Sequence, residues 1–323
     1  VSDFMTDRTR VGVILLTYGS PETLDDVPQY LANVRGGRPA EQELIDEFKR
    51  RYDVIGGSPL VRITREQAAA LERELNRRHP DGPTFRVTVG MRFAPPLIAD
   101  AVQAIGLESD ELIGVIMSPQ YSPIIMSGYN TAFDAAVAGL GRSDLRAAVA
   151  GDWHLQPEFI EALSERVQQA LDRLPADVRQ HVPVLLTAHS MPQRVVEKEP
   201  RYIESLKETA HAVAERLGLG PDRWMFCYQS AGHTPEEWLK PDFADIMPIL
   251  REQGQTHVLI APVQFLADHL EILYDIEVGA REQAEENGIQ FARIESLNVA
   301  PKFIEALASV VEETMQRAKS PVA

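Results

Sequence analysis

The sequence predicts an α/β protein of two Rossmann-like lobes, each a four-stranded parallel sheet flanked by helices, with a cleft between them. Three observations predict it. Short β-branched runs alternate with longer segments of helical period, as in parallel sheets joined by crossover helices. The stretch VILLTYGSP at residues 13–21 is echoed by VLLTAHSMP at 184–192, which places Tyr18 and His189 at equivalent strand ends. The echo repeats in order, because MSPQYSP at 117–123 is matched by APVQFLAD at 261–268. In open α/β sheets ligands bind beyond the carboxyl ends of the strands, so the matching loops are expected to face one cleft.

Taken in order, the first lobe has strands expected near residues 11–17, 85–91, 112–117 and 145–150. The second repeats the plan near 182–187, 224–228, 258–261 and 289–294. Amphipathic periodicity predicts helices over 65–78, 157–174, 201–217, 243–253 and 301–315, several stopped by Gly or Pro. The lobes are accordingly read as residues 1–153 and 154–323, with the last helix packing back on the first lobe.

The bulk numbers agree with this plan. The chain has 323 residues, 44% apolar and 25% charged, which suits a two-lobed globular protein. Its longest apolar runs are of strand length, far short of the roughly 20 residues of a membrane-spanning helix. The opening VSDFMTDRTR lacks the apolar segment of a secretory signal, and a cytoplasmic location is expected. Cys227 is the sole cysteine, so neither an intrachain disulfide nor a four-thiolate iron–sulfur cluster can form. A net charge of −16 disfavours nucleic acid, and an anionic ligand would need a local basic patch. Arg35, Arg38, Lys49, Arg50, Arg51 and Arg62 offer one. No interface signal stands out, and a monomer is expected.

Several segments carry chemistry-bearing residues. His189, directly after an apolar strand, can take a proton near neutral pH or bind a metal through a neutral nitrogen. It can equally be a hydrogen-bonded loop histidine. Ser190 beside it lacks the G-x-S-x-G turn of a hydrolase nucleophile. In DHLEILYDIE (268–277), Asp268 and Glu271 are spaced like a capping box. Glu271 and Asp275 also share one helical face, with Glu277 roughly opposite, a ladder able to hold a divalent cation. GGSPL at 56–60 gives a tight turn, but it lacks the Lys-Ser/Thr of a phosphate loop. Gln229, Ser230 and His233 form a polar loop after a strand, and solvation is the simplest role for His233.

Together these motifs resemble the ferrochelatases, which insert ferrous iron into a porphyrin. LLTYGSP, RRYDVIGGSPL, VGMRF, MSPQYS, TAHSMP, CYQSAGHTPEEWL and DHLEILYDI are similar to that family's signatures, in order, over nearly the whole chain. The resemblance implies that His189 and Glu271 form the catalytic pair and that Tyr18 and Asp275 join them around the metal. It implies that Tyr18, Arg35, Arg51, Tyr52, Ser58 and Tyr129 meet the porphyrin. Tyr at position 18 is typical of the members that act on coproporphyrin III, whose four carboxylates suit the basic patch. Ferrous iron is then a substrate, with no cofactor and no iron–sulfur cluster. The Gly-Gly-Ser-Pro loop is one residue shorter than the family pattern. Gly279 stands where many relatives carry a further acid, which argues against an outer metal site.

Other readings are protoporphyrin IX as substrate, a chelatase for sirohydrochlorin, and a haem or divalent-metal carrier without turnover. A protoporphyrin enzyme should have an apolar, membrane-facing lip, and the segment QYLANVRGGR (29–38) is polar.

Overall fold

The computed structural model describes residues 8–232 and 236–319. His233 lies outside the described residues. The first lobe contains β1 (Arg10–Thr17), α1 (Val27–Val34), α2 (Gln42–Val54), α3 (Leu60–Arg78), β2 (Thr84–Met91), α4 (Ile98–Gly106), β3 (Glu111–Ile116), α5 (Pro123–Gly139) and β4 (Arg146–Val149). The chain continues through α6 (Pro157–Asp172), the single turn α7 (Ala176–Arg179), β5 (Val184–His189), the single turn α8 (Gln193–Val196), α9 (Pro200–Arg216), β6 (Trp224–Gln229), α10 (Phe243–Glu252) and β7 (His257–Pro262). A π-helix over Glu271–Ala280 runs into α11 (Arg281–Glu286), followed by β8 (Gln290–Arg293) and α12 (Pro301–Lys319).

The two sheets have the same parallel order, β2-β1-β3-β4 and β6-β5-β7-β8. Central strands are buried on both faces, as parallel sheets require, and their sequences read as continuous apolar runs. Leu15 of β1 pairs with Val89 and Val115, and Leu186 of β5 with Phe226 and Ala261. The echo is therefore one of topology as well as of sequence. The two strand ends are not equivalent, however: with the shared Leu-Leu-Thr sequences aligned, Tyr18 falls on Ala188 and His189 lies one residue further. Tyr18 follows the end of β1, whereas His189 is the last residue of β5.

The main apolar core is continuous across the lobes. Leu15, Val115, Phe159, Leu186, Phe303 and Leu307 belong to one buried cluster. Helix α12 packs against α3 and α6 and lies over β3 and β4. Each fully buried Leu or Phe contributes about 1.5–3 kcal/mol relative to exposure, and this shared core holds the two strand-end surfaces in fixed relation.

Helix α3 begins five residues before the predicted start, directly after the Ser58-Pro59 pair. Gly56 and Gly57 adopt φ of +70° and +90°, and their N–H groups bond back to Asp53 and Tyr52 carbonyls at the end of α2. The Gly-Gly-Ser-Pro segment thus ends one helix and opens the next. The expected capping box at Asp268 does not form. The helix starts later, with Leu270 as its cap and no side-chain capping bond, and Asp268 is engaged elsewhere. The segment after it is a π-helix, a rare form whose wider i→i+5 turn recurs at functional sites.

Candidate active site

The carboxyl ends of the strands open into a cleft of about 1850 Å³, well beyond the roughly 300–1,000 Å³ of ordinary small-molecule pockets. Tyr18, Arg35, Arg51, Tyr52, Tyr129, His189, Glu271 and Asp275 all line it. Ser58 is not part of its wall. Its hydroxyl instead faces the Leu60 N–H at 3.4 Å, at the start of α3. Gly56 and Gly57, both at positive φ, close the end of α2 just before it.

At the centre, His189 Nε2 lies 3.4 Å from Glu271 Oε2. The Nδ1 of His189 is bonded to the Ser190 carbonyl. A carbonyl only accepts, so Nδ1 carries the hydrogen and Nε2 is left as the basic nitrogen directed at the site. The His189 backbone N–H donates to Gln264 Oε1 at 2.8 Å, and Gln264 Nε2 donates to the Tyr202 hydroxyl at 2.7 Å. Gln264 and Tyr202 therefore fix the strand end on which the imidazole sits. Ser190 is fully buried and its hydroxyl donates to the Leu239 carbonyl at 2.9 Å, which removes it as a nucleophile.

Glu271 and Asp275 share the cleft face of the π-helix, and Glu277 points away into bonds with Arg281 and Arg293. Burial holds the Asp275 carboxyl above the usual carboxylate range. The charge of Glu271 adds to this, while Ser230 and the Arg51 guanidinium oppose it. Arg51 reaches Asp275 at 3.9 Å, and Arg50 donates to the Tyr274 hydroxyl at 2.6 Å, so α2 docks on the π-helix across the cleft. Among the described residues no three His, Cys, Asp or Glu side chains converge into a metal-holding group. His189 and Glu271 form a pair, with Asp275 one turn further along the helix.

Tyr18 stands opposite, with its ring edge-on to Phe93 at 4.6 Å and to Tyr30 at 6.4 Å. Gly19 behind it has φ +91°, and a Cβ there would come within 2.9 Å of Ala94, so only glycine turns the chain at this point. Tyr18 is 43% exposed to the cleft. Protein surrounds the rest of it, and desolvation, reinforced by the Glu271 charge, raises its phenol. Burial pushes Tyr52 up to about 12 against the opposing bond with Ser20. Burial likewise raises Tyr129, over whose ring the Arg92 guanidinium lies at 5.4 Å. All three phenols stay protonated at neutral pH.

The basic patch is smaller than its sequence suggests. Of its six members only Arg35, Arg50 and Arg51 line the cleft, together with Glu41, Glu43, Asp46 and Glu47. Glu47 binds both Arg50 and Arg51, at 2.9 and 2.7 Å. Arg62 pairs with Glu66 on the outside. Among the described residues Arg35 makes no ion pair, which leaves its guanidinium for an anionic ligand.

Gln264 was visible as half of a sequence echo, but its role was not. Its counterpart Gln120 donates to Thr209 at 2.9 Å instead, so the shared motif serves the site in the second lobe alone. Tyr202 and Glu47 carried no signal, since each sits in an ordinary amphipathic helix.

The family model for ferrochelatase matches residues 10–315. The chain is 38% identical over 312 residues to a protein named ferrochelatase from Deinococcus radiodurans, covering 95% of this chain and 97% of that one. It is 37% identical over 307 residues to the coproporphyrin III ferrochelatase of Geobacillus thermodenitrificans, covering 94% and 96%. The coproporphyrin III ferrochelatase of Bacillus subtilis is 34% identical over 313 residues, with 96% and 99% covered. Among solved structures, SirB from Bacillus subtilis with Fe3+ superposes with a TM-score of 0.57 at 12% identity, covering 95% of this chain and 96% of that one. CbiX, described as the terminal enzyme for biosynthesis of sirohaem in denitrifying bacteria, gives 0.54 at 16%, covering 94% and 98%. These two likenesses concern the fold. No helix among the described residues is long and apolar enough to cross a membrane.

Proposed function

The chain belongs to the ferrochelatase family of metal-inserting enzymes, and from that premise we propose that it inserts ferrous iron into coproporphyrin III to form coproporphyrin haem. The observation that carries the substrate choice is Arg35, a guanidinium without an acidic partner among the described residues, on the wall of a cleft that also presents Tyr18. A porphyrin with four carboxylates suits that arrangement, because Arg binds carboxylates through paired charge-assisted bonds. Tyr52 and Tyr129 would add hydroxyls, and Arg51 would exchange part of its bond to Glu47 for a substrate carboxylate.

The chemistry follows from the pair. Metal insertion removes two pyrrole protons while a hydrated cation sheds water, so it needs a base beside an oxygen ligand. His189 Nε2 is free to accept a proton, with Nδ1–H anchored on a backbone carbonyl. Glu271 faces the imidazolium so formed and balances its charge. Asp275, whose carboxyl burial makes easier to protonate, is suited to pass on the second proton. The apolar wall formed by Leu31, Leu44, Phe48 and Leu270 would hold the macrocycle by its faces, favouring the puckered form whose nitrogens are exposed to metal.

The test is anaerobic absorbance with ferrous iron, offering coproporphyrin III and protoporphyrin IX in parallel. The proposal expects a higher kcat/KM for coproporphyrin III. A preference for protoporphyrin IX would overturn the substrate and leave the chelatase in place.

A further inference from the structure

Glu271 makes no hydrogen bond among the described residues, and its buried Oε2 has no such partner. Its position beside His189 must therefore be set through the backbone that carries it. That backbone lacks the usual device, because Leu270 caps the helix without a side-chain bond. The anchoring comes from Asn298, which lies between β8 and α12 in left-handed backbone, φ +45°.

Four hydrogen bonds meet at Asn298. Its side-chain oxygen accepts the Asp268 N–H at 2.9 Å, and its side-chain nitrogen donates to Asp268 Oδ2 at 2.9 Å. Its own N–H donates to the Leu266 carbonyl at 2.9 Å. Its carbonyl accepts Nε2 of Gln67 at 2.8 Å, and Gln67 is a buried residue of α3 in the first lobe. The remaining oxygen of Asp268 accepts the Ser296 hydroxyl at 2.8 Å, with the Arg293 guanidinium 3.6 Å away. Asp268 thus has both oxygens occupied and serves as an anchor three residues ahead of Glu271. Leu266, Ala267, His269 and Leu270 line the cleft, whereas Asn298 is outside it.

We propose that Asn298 is the positioning residue for Glu271. It clamps the start of the π-helix through Asp268 and ties it to α3 of the opposite lobe through Gln67, so that the carboxylate stays opposite His189. The inference rests on the metal-insertion reading of that pair. A carboxylate displaced by about 1 Å would cost on the order of 100-fold in rate, even though Asn298 touches no reacting atom.

The test compares three variants with ferrous iron and coproporphyrin III. Asn298→Gly keeps the left-handed backbone and removes both side-chain bonds; kcat is expected to fall on the order of 10–100-fold, with KM for the porphyrin changed less than about twofold. The exchange variant, Asp268→Asn with Asn298→Asp, reverses the side-chain bond, leaves the bond from the backbone N–H of residue 268 as it is, and is expected to restore most of the lost kcat. Loss of thermal stability at unchanged kcat would assign Asn298 a structural role and overturn the inference. Should Asn298→Gly fail to fold, the exchange variant decides, since a folded exchange variant with low kcat overturns the inference and near-normal kcat upholds it. Glu271→Gln runs alongside. Activity retained in Glu271→Gln overturns the reading of the pair and the inference with it, whereas activity lost there but kept in Asn298→Gly overturns the inference alone.

Discussion

Nε2 of His189 and Oε2 of Glu271 lie 3.4 Å apart although the residues belong to different segments, one ending β5 and the other opening the π-helix after β7. The imidazole is held from behind by a backbone carbonyl and by Gln264 on its peptide N–H, so the face it turns to Glu271 is the basic one. In the proposed reaction the base and the charge-balancing carboxylate are thereby held in place before substrate arrives.

Gln264→Leu removes the acceptor for the His189 N–H and the donor to Tyr202, both within the protein. Leaving a buried donor unsatisfied costs about 1–3 kcal/mol. The variant should unfold at lower denaturant concentration with an unchanged slope, and its kcat for iron insertion should drop. Denaturant titration together with steady-state kinetics checks both; normal stability would mean that Gln264 is not the support described.

Arg35→Leu should raise KM for coproporphyrin III by about tenfold, the value of one charge-assisted hydrogen bond of about 1.5 kcal/mol, while kcat changes little. Higher salt should narrow the gap between variant and wild type. An unchanged KM would show that the substrate's carboxylates bind elsewhere.

His154 provides a pH test away from the site. It is buried, with Nδ1 2.5 Å from Asp152 and Nε2 2.7 Å from Glu208. Burial works against the imidazolium, but the two carboxylates outweigh it and the pKa is raised. The folded state therefore binds this proton more tightly than the unfolded chain, whose histidine titrates near roughly 6.5. The stabilisation is full below that pH and is lost as pH rises through the raised folded value. The melting-temperature difference between wild type and His154→Gln should be largest at acidic pH and shrink above neutrality. A constant difference across that window would contradict the assignment.

Phe303→Ala should destabilise the protein by about 3–5 kcal/mol, the usual cost of emptying an aromatic core position. Phe303 is fully buried in the cluster that spans both lobes. Cooperative loss of both lobes in a single transition is the expected result, read by calorimetry; two separated transitions would mean that the lobes fold independently.

The fold was legible because parallel strands buried on both faces leave an unmistakable apolar run, and because the Leu-Leu-Thr and Pro-Gln echoes repeat the strand order. That His189 and Glu271 share one cleft was legible through their motifs. Ser58 lies off the cleft wall, a placement that sequence does not give because it shows a loop's composition and not its path. The basic patch was overstated for a related reason: Glu47 lies three and four residues before Arg50 and Arg51, and the helix lets it hold both. Asp268 looked like a cap from its spacing to Glu271, but its partners, Ser296 and Asn298, lie about thirty residues away, beyond the reach of any local pattern.

The most direct test of the account is Glu271→Gln, assayed for iron insertion into coproporphyrin III and separately for porphyrin binding by tryptophan fluorescence. Loss of metallation on the order of 100-fold or more, with binding within about twofold of wild type, is the predicted result. Metallation near the wild-type rate would contradict the central claim that the His189–Glu271 pair carries the reaction.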